Sequence, residues 1–249
     1  PDLLKGTPRT INMSTIGDDL LKASSPAFGP QVEAVIVYNA NPLAVAPDSS
    51  KVAQGFARED LFTVVLEHFR TDTADHADIV LPATTQLEHL DVHTSYGHTW
   101  VLWNEPALPP AGEARPNTQI FRDLAARMGF DDACFADDDE TLARSALRGI
   151  DFEALRRDGW WRLPLPDAPF ADGGFATPNG RAQAAGADFV PNHECREAAP
   201  ALAARFPLAM ISPPARHFLN STFVNLQSLR AIEGEPLVDA CERRGLPAD

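Results

Sequence analysis

Apolar positions in this chain gather into short runs of strand length. Residues 32–38 (VEAVIVY), 61–66 (LFTVVL) and 78–81 (DIVL) are apolar and rich in β-branched side chains, so each predicts a buried strand. The first run meets Asn39-Ala40-Asn41-Pro42, a turn sequence, because Asn tolerates left-handed backbone and Pro cannot extend a strand. The third stops at Pro82. Between the first two, Asp48-Ser49-Ser50 offers a helix cap, and Val52, Ala53 and Phe56 follow at helical spacing. Apolar strands joined by helix-length crossovers predict a parallel sheet covered on both faces. The fold class is therefore α/β, a doubly wound, mainly parallel sheet of dinucleotide-binding-like form.

Farther along, residues 104–116 hold four prolines and read as an extended loop. Asn117 can cap a helix with Ile120, Phe121, Leu124 and Met128 on one stripe and Gly129 at its stop. Residues 137–147 predict another helix, acidic at its start as the helix dipole prefers. Residues 160–200 are rich in Pro, Gly and Ala and read as a surface excursion leading to a boundary. Residues 206–211 (FPLAMI) look like the first strand of a new domain. The expected division is thus 1–200, with its core at 31–150, and 201–249 as an unfinished second domain.

Composition narrows the function classes. The 249 residues carry 21 Lys+Arg against 35 Asp+Glu, a formal charge of −14, which argues against a nucleic-acid-binding module needing a basic face. Hydrophobic residues make up 44%, enough for a real core, but there is no membrane-length apolar run. Three cysteines, Cys134, Cys195 and Cys241, are too few and too far apart for a disulfide framework and fit reduced thiols in a cytoplasm. The chain starts without Met and ends without a closing element, so the expectation is a fragment of a longer polypeptide.

Candidate chemistry sits at the carboxyl ends of the strands, where parallel sheets collect ligands. Those ends present Asn39 and Asn41, then Glu67, then residues 82–85 (PATT). A carboxylate there can accept from a ribose or from the two-donor edge of guanine, although a solvated Glu is the plainer reading. Neither G-x-G-x-x-G nor G-x-x-x-x-G-K-S/T occurs, so neither a nicotinamide site nor a P-loop is indicated. Five of the seven histidines, His68, His76, His89, His93 and His98, crowd into one span. His89, Asp91 and His93 would share one face of a strand, which keeps a metal-dependent hydrolase as a rival reading. A stand-alone nucleotide-binding or interaction domain is the other. The loop 216–222 (RHFLNST) packs five polar side chains into seven residues and could bind an anion or a heterocycle, or simply form a turn.

Residues 71–85 (TDTADHADIVLPATT), followed by Glu88-His89, resemble the T-x-T-A-x-x-A-D-I/V-I/V-L-P segment of the molybdopterin oxidoreductases, the dimethyl sulfoxide reductase and formate dehydrogenase family. The turn at Asn39-Ala40-Asn41-Pro42 resembles that family's G-x-N-P-like turn. Residues 112–117 (GEARPN) resemble its G-E-A-R/K-x-D/N element, and Arg216 to Thr222 its last, β-barrel-like domain.

The resemblance implies a third domain plus the truncated start of the C-terminal domain of an enzyme that carries molybdopterin guanine dinucleotide, as a molybdenum or tungsten bis-dinucleotide centre. It implies cofactor contacts at Asn41, with Asn39 beside it, at Leu66 and Glu67, at His89 and at Asn117. Arg216, His217, Asn220, Ser221 and Thr222 would belong to a pterin- and phosphate-binding loop. None of these is implied as catalytic or as a metal ligand. The metal-ligating residue, and any iron–sulfur cluster, would lie in earlier domains of the same polypeptide, so the chain alone is expected to be inactive. The intact enzyme would carry out two-electron redox or oxygen-atom transfer on a small substrate and exchange electrons with a redox partner. Departures are visible too. Glu67 stands where relatives commonly have Asp, and His89 where they often have Lys, a stronger phosphate partner.

Overall fold

In a computed structural model of the chain, residues 7–166, 168–184, 186–191, 195–208 and 215–234 are described. The chain divides into two compact units, Pro1–Leu163 and Pro164–Asp249.

The first unit opens with a short helix α1 (Ile16–Leu21), strand β1 (Ala34–Tyr38), one helical turn α2 (Pro42–Val45), helix α3 (Ser49–Phe56) and strands β2 (Phe62–Glu67) and β3 (Ile79–Pro82). The three strands form a parallel sheet in the order β1-β2-β3, with Val37 opposite Val65 and Leu66 opposite Leu81. All three expected strands are present, each shifted by a residue or two. Side chains on one face, Val37 and Val65 among them, pack with Leu20 of α1, Val52 and Phe56 of α3, and Leu61 into the larger core. Burying each such side chain stabilises the fold by roughly 1.5–3 kcal/mol.

Two local devices shape this layer. Asp48 caps α3 as the sequence predicts, its carboxylate accepting from Lys51 N–H, with Asp48 itself in the left-handed region (φ 56°). Asp78 accepts from the Thr63 N–H at 2.7 Å while Thr63 O accepts from Asp78 N–H, and this closes the start of the β2–β3 ladder.

On the opposite sheet face, helix α4 makes contact. Strands β4 (Asp91–His93) and β5 (Trp100–Asn104) come first, then α4 (Asn117–Met128). Phe121 of α4 meets the Tyr38 ring edge-on, with centroids 5.5 Å apart. Ile36, Phe62 and Ile79, on the same face as Tyr38, stay about half exposed. Helices thus reach both sides of the sheet, but cover only one side fully among the described residues. Gly129 ends α4 in the left-handed conformation (φ 74°), the backbone state that favours glycine. Asn117 is the first helical residue rather than the cap; Pro116 precedes the helix and has no side-chain donor or acceptor to offer.

A second, antiparallel sheet β4-β5-β6 closes this unit, with helices α5 (Asp139–Ala146) and α6 (Phe152–Asp158) and strand β6 (Trp160–Arg162). Val101, Trp103, Ala143, Phe152 and Leu155 form its core. The sequence reading assigned no strand to β5 and began an irregular excursion at Trp160. The reason is that β5 reads WVLWN, apolar on both faces, so its half-buried alternation is hidden.

In the second unit the described elements are α7 (Pro200–Arg205), α8 (Gln227–Glu233) and an isolated bridge between Leu219 and Thr222. The strand expected at 206–211 does not begin at Phe206, which is the C-cap of α7; residues 209–211 lie outside the described residues.

Candidate functional site

The carboxyl ends of β1, β2 and β3 lie side by side because the strands are parallel and in register. The ladder then continues past β3. Ala83 N–H donates to Glu67 O, Arg115 N–H donates to Pro82 O, and Thr84 N–H donates to Arg115 O. Arg115 thereby joins the sheet edge, and two residues later α4 begins. Asn117 Nδ2 reaches Asn39 Oδ1 at 3.4 Å, tying the start of α4 to the end of β1. Asn39 sits in the left-handed region (φ 52°), which Asn tolerates better than most residues.

Several polar atoms at this strand end have no partner among the described residues. Asn117 Oδ1 is buried and unpaired among the described residues. Pro116 gives α4 no side-chain cap, so among the described residues the N–H groups of its first turn are open to an acceptor, at the positive end of the helix dipole. Glu67 accepts from its neighbour's backbone, His68 N–H at 2.7 Å, through Oε1, and Oε2 has no partner among the described residues. Asn41 is 7% exposed, and its Oδ1 accepts from both the hydroxyl and the N–H of Thr73. Leu66 is 3% exposed, so its side chain belongs to the core and only its backbone reaches the strand end.

His89 is partly buried, its side chain 21% exposed. Its Nδ1 bonds Thr84 Oγ1 at 2.9 Å, and its Nε2 lies 3.7 Å from Asp91 Oδ2. His68 Nε2 bonds Thr84 O at 2.9 Å. The other histidines of the cluster go elsewhere: His76 to Asp72 O, His98 to Trp100 N–H, and His93 onto β4. Among the described residues no group of three His, Cys, Asp or Glu side chains is arranged to hold a metal ion. The hydrolase reading built on the His68–His98 span is not favoured, because these histidines and the neighbouring acidic side chains do not gather into a three-ligand group among the described residues.

The sequence places Thr84 at a strand end without giving it a role, and it does not single out Glu88 as site-forming. Thr84, 1% exposed, is the hub on which both histidines converge. Glu88 accepts from Thr85 N–H and hydroxyl through one oxygen and from Ala111 N–H through the other, clamping the segment after β3 to the proline-rich loop before α4. The backbone N–H of Thr85, with its hydroxyl and Ala111 N–H next, holds the Glu88 carboxyl below its ordinary range. The signal for both lay in the polar run directly after an apolar strand.

The second-unit residues form their own local arrangement. His217 N–H and Nδ1 both meet Glu233 Oε1, at 2.6 and 2.7 Å. Asn220 is in the left-handed region (φ 52°), Thr222 N–H donates to Leu219 O, and Arg216 is exposed. Hydrogen bonds from His217 draw the Glu233 carboxyl down, backbone first.

A family model for molybdopterin oxidoreductases matches residues 14–127. Among relatives, a probable oxidoreductase, YoaE of Bacillus subtilis, is 37% identical over 95% of this chain and 36% of its own length. The dimethyl sulfoxide/trimethylamine N-oxide reductase of Rhodobacter capsulatus is 31% identical over 58% of this chain and 19% of its own. Among solved structures, acetylene hydratase from Pelobacter acetylenicus shares the fold with a TM-score of 0.70 at 22% identity, over 95% of this chain and 34% of that one. The chain thus spans about a third or less of the length of these relatives.

Proposed function

The chain belongs to the molybdopterin oxidoreductase family through residues 14–127, and on that premise we propose that it supplies one half-site for a molybdopterin guanine dinucleotide in a larger enzyme. The observation that carries this reading is Asn117: at the first turn of α4, bonded to Asn39 of the β1 end, it keeps a buried oxygen with no donor among the described residues. That orphan acceptor suits guanine, whose N1–H and 2-amino group form a donor edge, and Glu67 Oε2 is a second acceptor at the neighbouring strand end. The open N–H groups of α4 suit a phosphate. The residues present therefore fit the nucleotide end of such a group.

When bound, the cofactor would supply two-electron redox or oxygen-atom chemistry at molybdenum or tungsten, as the family implies. This chain's side chains bind and orient; Asn117, Glu67, Asn39 and Asn41 hold the nucleotide in place and fix its distance from the rest of the enzyme. The loop 216–222 is assigned the pterin and phosphate side of a site within the second unit. The metal ligand, any iron–sulfur cluster, the small substrate and the electron partner are assigned to other parts of the longer enzyme. Free thiols at Cys134 and Cys195 support a cytoplasmic setting. Among the described residues no helix is long and apolar enough to cross a membrane.

Titration calorimetry with GDP and ADP tests the reading. The wild-type chain is expected to prefer GDP, with Asn117→Ala removing the preference. Equal affinity for both nucleotides in the wild type would overturn it.

A further inference from the structure

We propose that Glu88 is a positioning residue for guanine selection: its carboxylate ties the turn after β3 to the loop before α4, and so sets where α4 begins and where the Asn117 amide stands. This rests on the half-site reading above and adds to it a residue that touches no ligand.

One half of the tie is local. Glu88 Oε2 accepts from the Thr85 N–H at 2.7 Å and from the Thr85 hydroxyl at 2.9 Å, while Glu88 N–H donates back to Thr85 O. The other half crosses to a separate segment, where Glu88 Oε1 accepts from Ala111 N–H at 2.7 Å. A backbone N–H thus faces each oxygen. Glutamine in its place must turn its NH2 toward one of them.

The crossing bond matters because little else holds that loop. Leu108 N–H is fixed on Leu87 O, and Arg115 N–H on Pro82 O. Between these anchors Pro109 and Pro110 have no N–H to offer, and Ala114 N–H folds back onto Ala111 O. Residues 109–113 are exposed, and a Cβ on Gly112 would meet nothing within 4 Å, so packing contributes little there. Among the described residues, Ala111 N–H to Glu88 is the one hydrogen bond from residues 109–114 to the rest of the protein. This loop delivers Arg115 to the sheet edge and Asn117 two residues later. Asn117 is otherwise tied to the strand ends by one long bond, 3.4 Å to Asn39. Glu88 therefore governs, through the loop, where the buried Asn117 Oδ1 is presented.

Calorimetry on the full chain with GDP and ADP, for wild type, Glu88→Gln and Glu88→Asp, tests this. Both variants keep an acceptor for Thr85 and give up the crossing, Gln by turning its NH2 toward Ala111 and Asp by its shorter reach. Each is expected to lower the GDP-over-ADP preference by roughly three- to tenfold, toward equal affinity. Asp78→Ala, which loosens the far end of the same sheet, is the control for stability alone. It is expected to lower the melting midpoint and leave the preference unchanged. Amide hydrogen exchange of the unliganded chain reads the tie without a nucleotide. Thr84 and Arg115 are expected to exchange roughly threefold or more faster in Glu88→Gln, with Val65 in β2 unchanged. Wild-type preference kept by both variants, an equal loss of preference in Asp78→Ala, or unchanged exchange at Thr84 and Arg115 overturns this proposal alone. Equal affinity for GDP and ADP in the wild type refutes the half-site reading, and the proposal with it.

Discussion

Where α1 crosses α3 there is no room for a side chain on Gly17, and this makes Gly17→Ala a sharp test of the packing that supports the sheet. A Cβ on Gly17 would lie 2.8 Å from Val52 N and 2.9 Å from both the Lys51 carbonyl carbon and Lys51 Cβ. Comfortable contacts between such atoms begin at about 3.5 Å. Two of the three obstructing atoms are α3 backbone, so relief requires the helices to move apart by several tenths of an ångström. That separation loosens the fully buried Val52 and its neighbours Leu20 and Phe56. Overpacking of this kind costs roughly 1–3 kcal/mol, against a gain of up to about 1 kcal/mol from replacing helical Gly by Ala. The net is a loss of about 1–2 kcal/mol, a fall in melting midpoint of roughly 2–8 °C for a chain of this size. Thermal unfolding followed by circular dichroism at 222 nm measures it. Gly97, with nothing within 4 Å of its built Cβ, is the control, and Gly97→Ala is expected to leave the midpoint unchanged. A Gly17→Ala chain as stable as wild type, or less affected than Gly97→Ala, would refute the close-crossing argument.

Three further outcomes follow from the hydrogen bonds. Asp78→Ala leaves the Thr63 N–H without its acceptor and should cost about 1–3 kcal/mol in denaturant unfolding; a loss below about 0.5 kcal/mol would mean water replaces the carboxylate freely. Because the Glu88 carboxyl is depressed in the folded state, its stabilisation is present in full above the unfolded-state value, about 4, and is lost as pH falls through the lower folded one. Unfolding of Glu88→Gln against wild type should therefore show a difference at pH 7 that shrinks below about pH 4, and a pH-independent difference would contradict the clamp. His89→Ala strips the partner from buried Thr84 Oγ1 and should lower stability by about 1–2 kcal/mol. Zinc should leave the melting midpoints of wild type and variant unmoved; a zinc-dependent rise lost in the variant would restore the metal-site reading.

The parallel sheet was legible because strands buried in such a layer are apolar along their whole length, as residues 32–38 and 61–66 are. The same property concealed β5, where Trp100 and Leu102 face away from the core yet are as apolar as Val101 and Trp103. Helix α1 has only six residues and takes its place from the contact of Gly17 with α3, which no local pattern announces. At the site, topology alone pointed to Asn39, Asn41 and Glu67, since parallel strands must end together. The hydrogen bonds from Thr73 to Asn41 were not legible, because the two residues lie 32 positions apart. Histidine spacing suggested a cluster, but the rings of His68, His76, His89 and His98 bond to other neighbours, and composition carries no record of that.

Guanine nucleotide binding at the strand carboxyl ends is the central premise of the proposed function, and backbone amide chemical-shift mapping of the chain during titration with GMP and AMP tests it most directly. The account predicts that GMP, and not AMP, shifts the amides of Asn39, Asn41, Glu67, His68 and residues 117–119 together. Shifts gathered elsewhere, or identical responses to GMP and AMP, would contradict it.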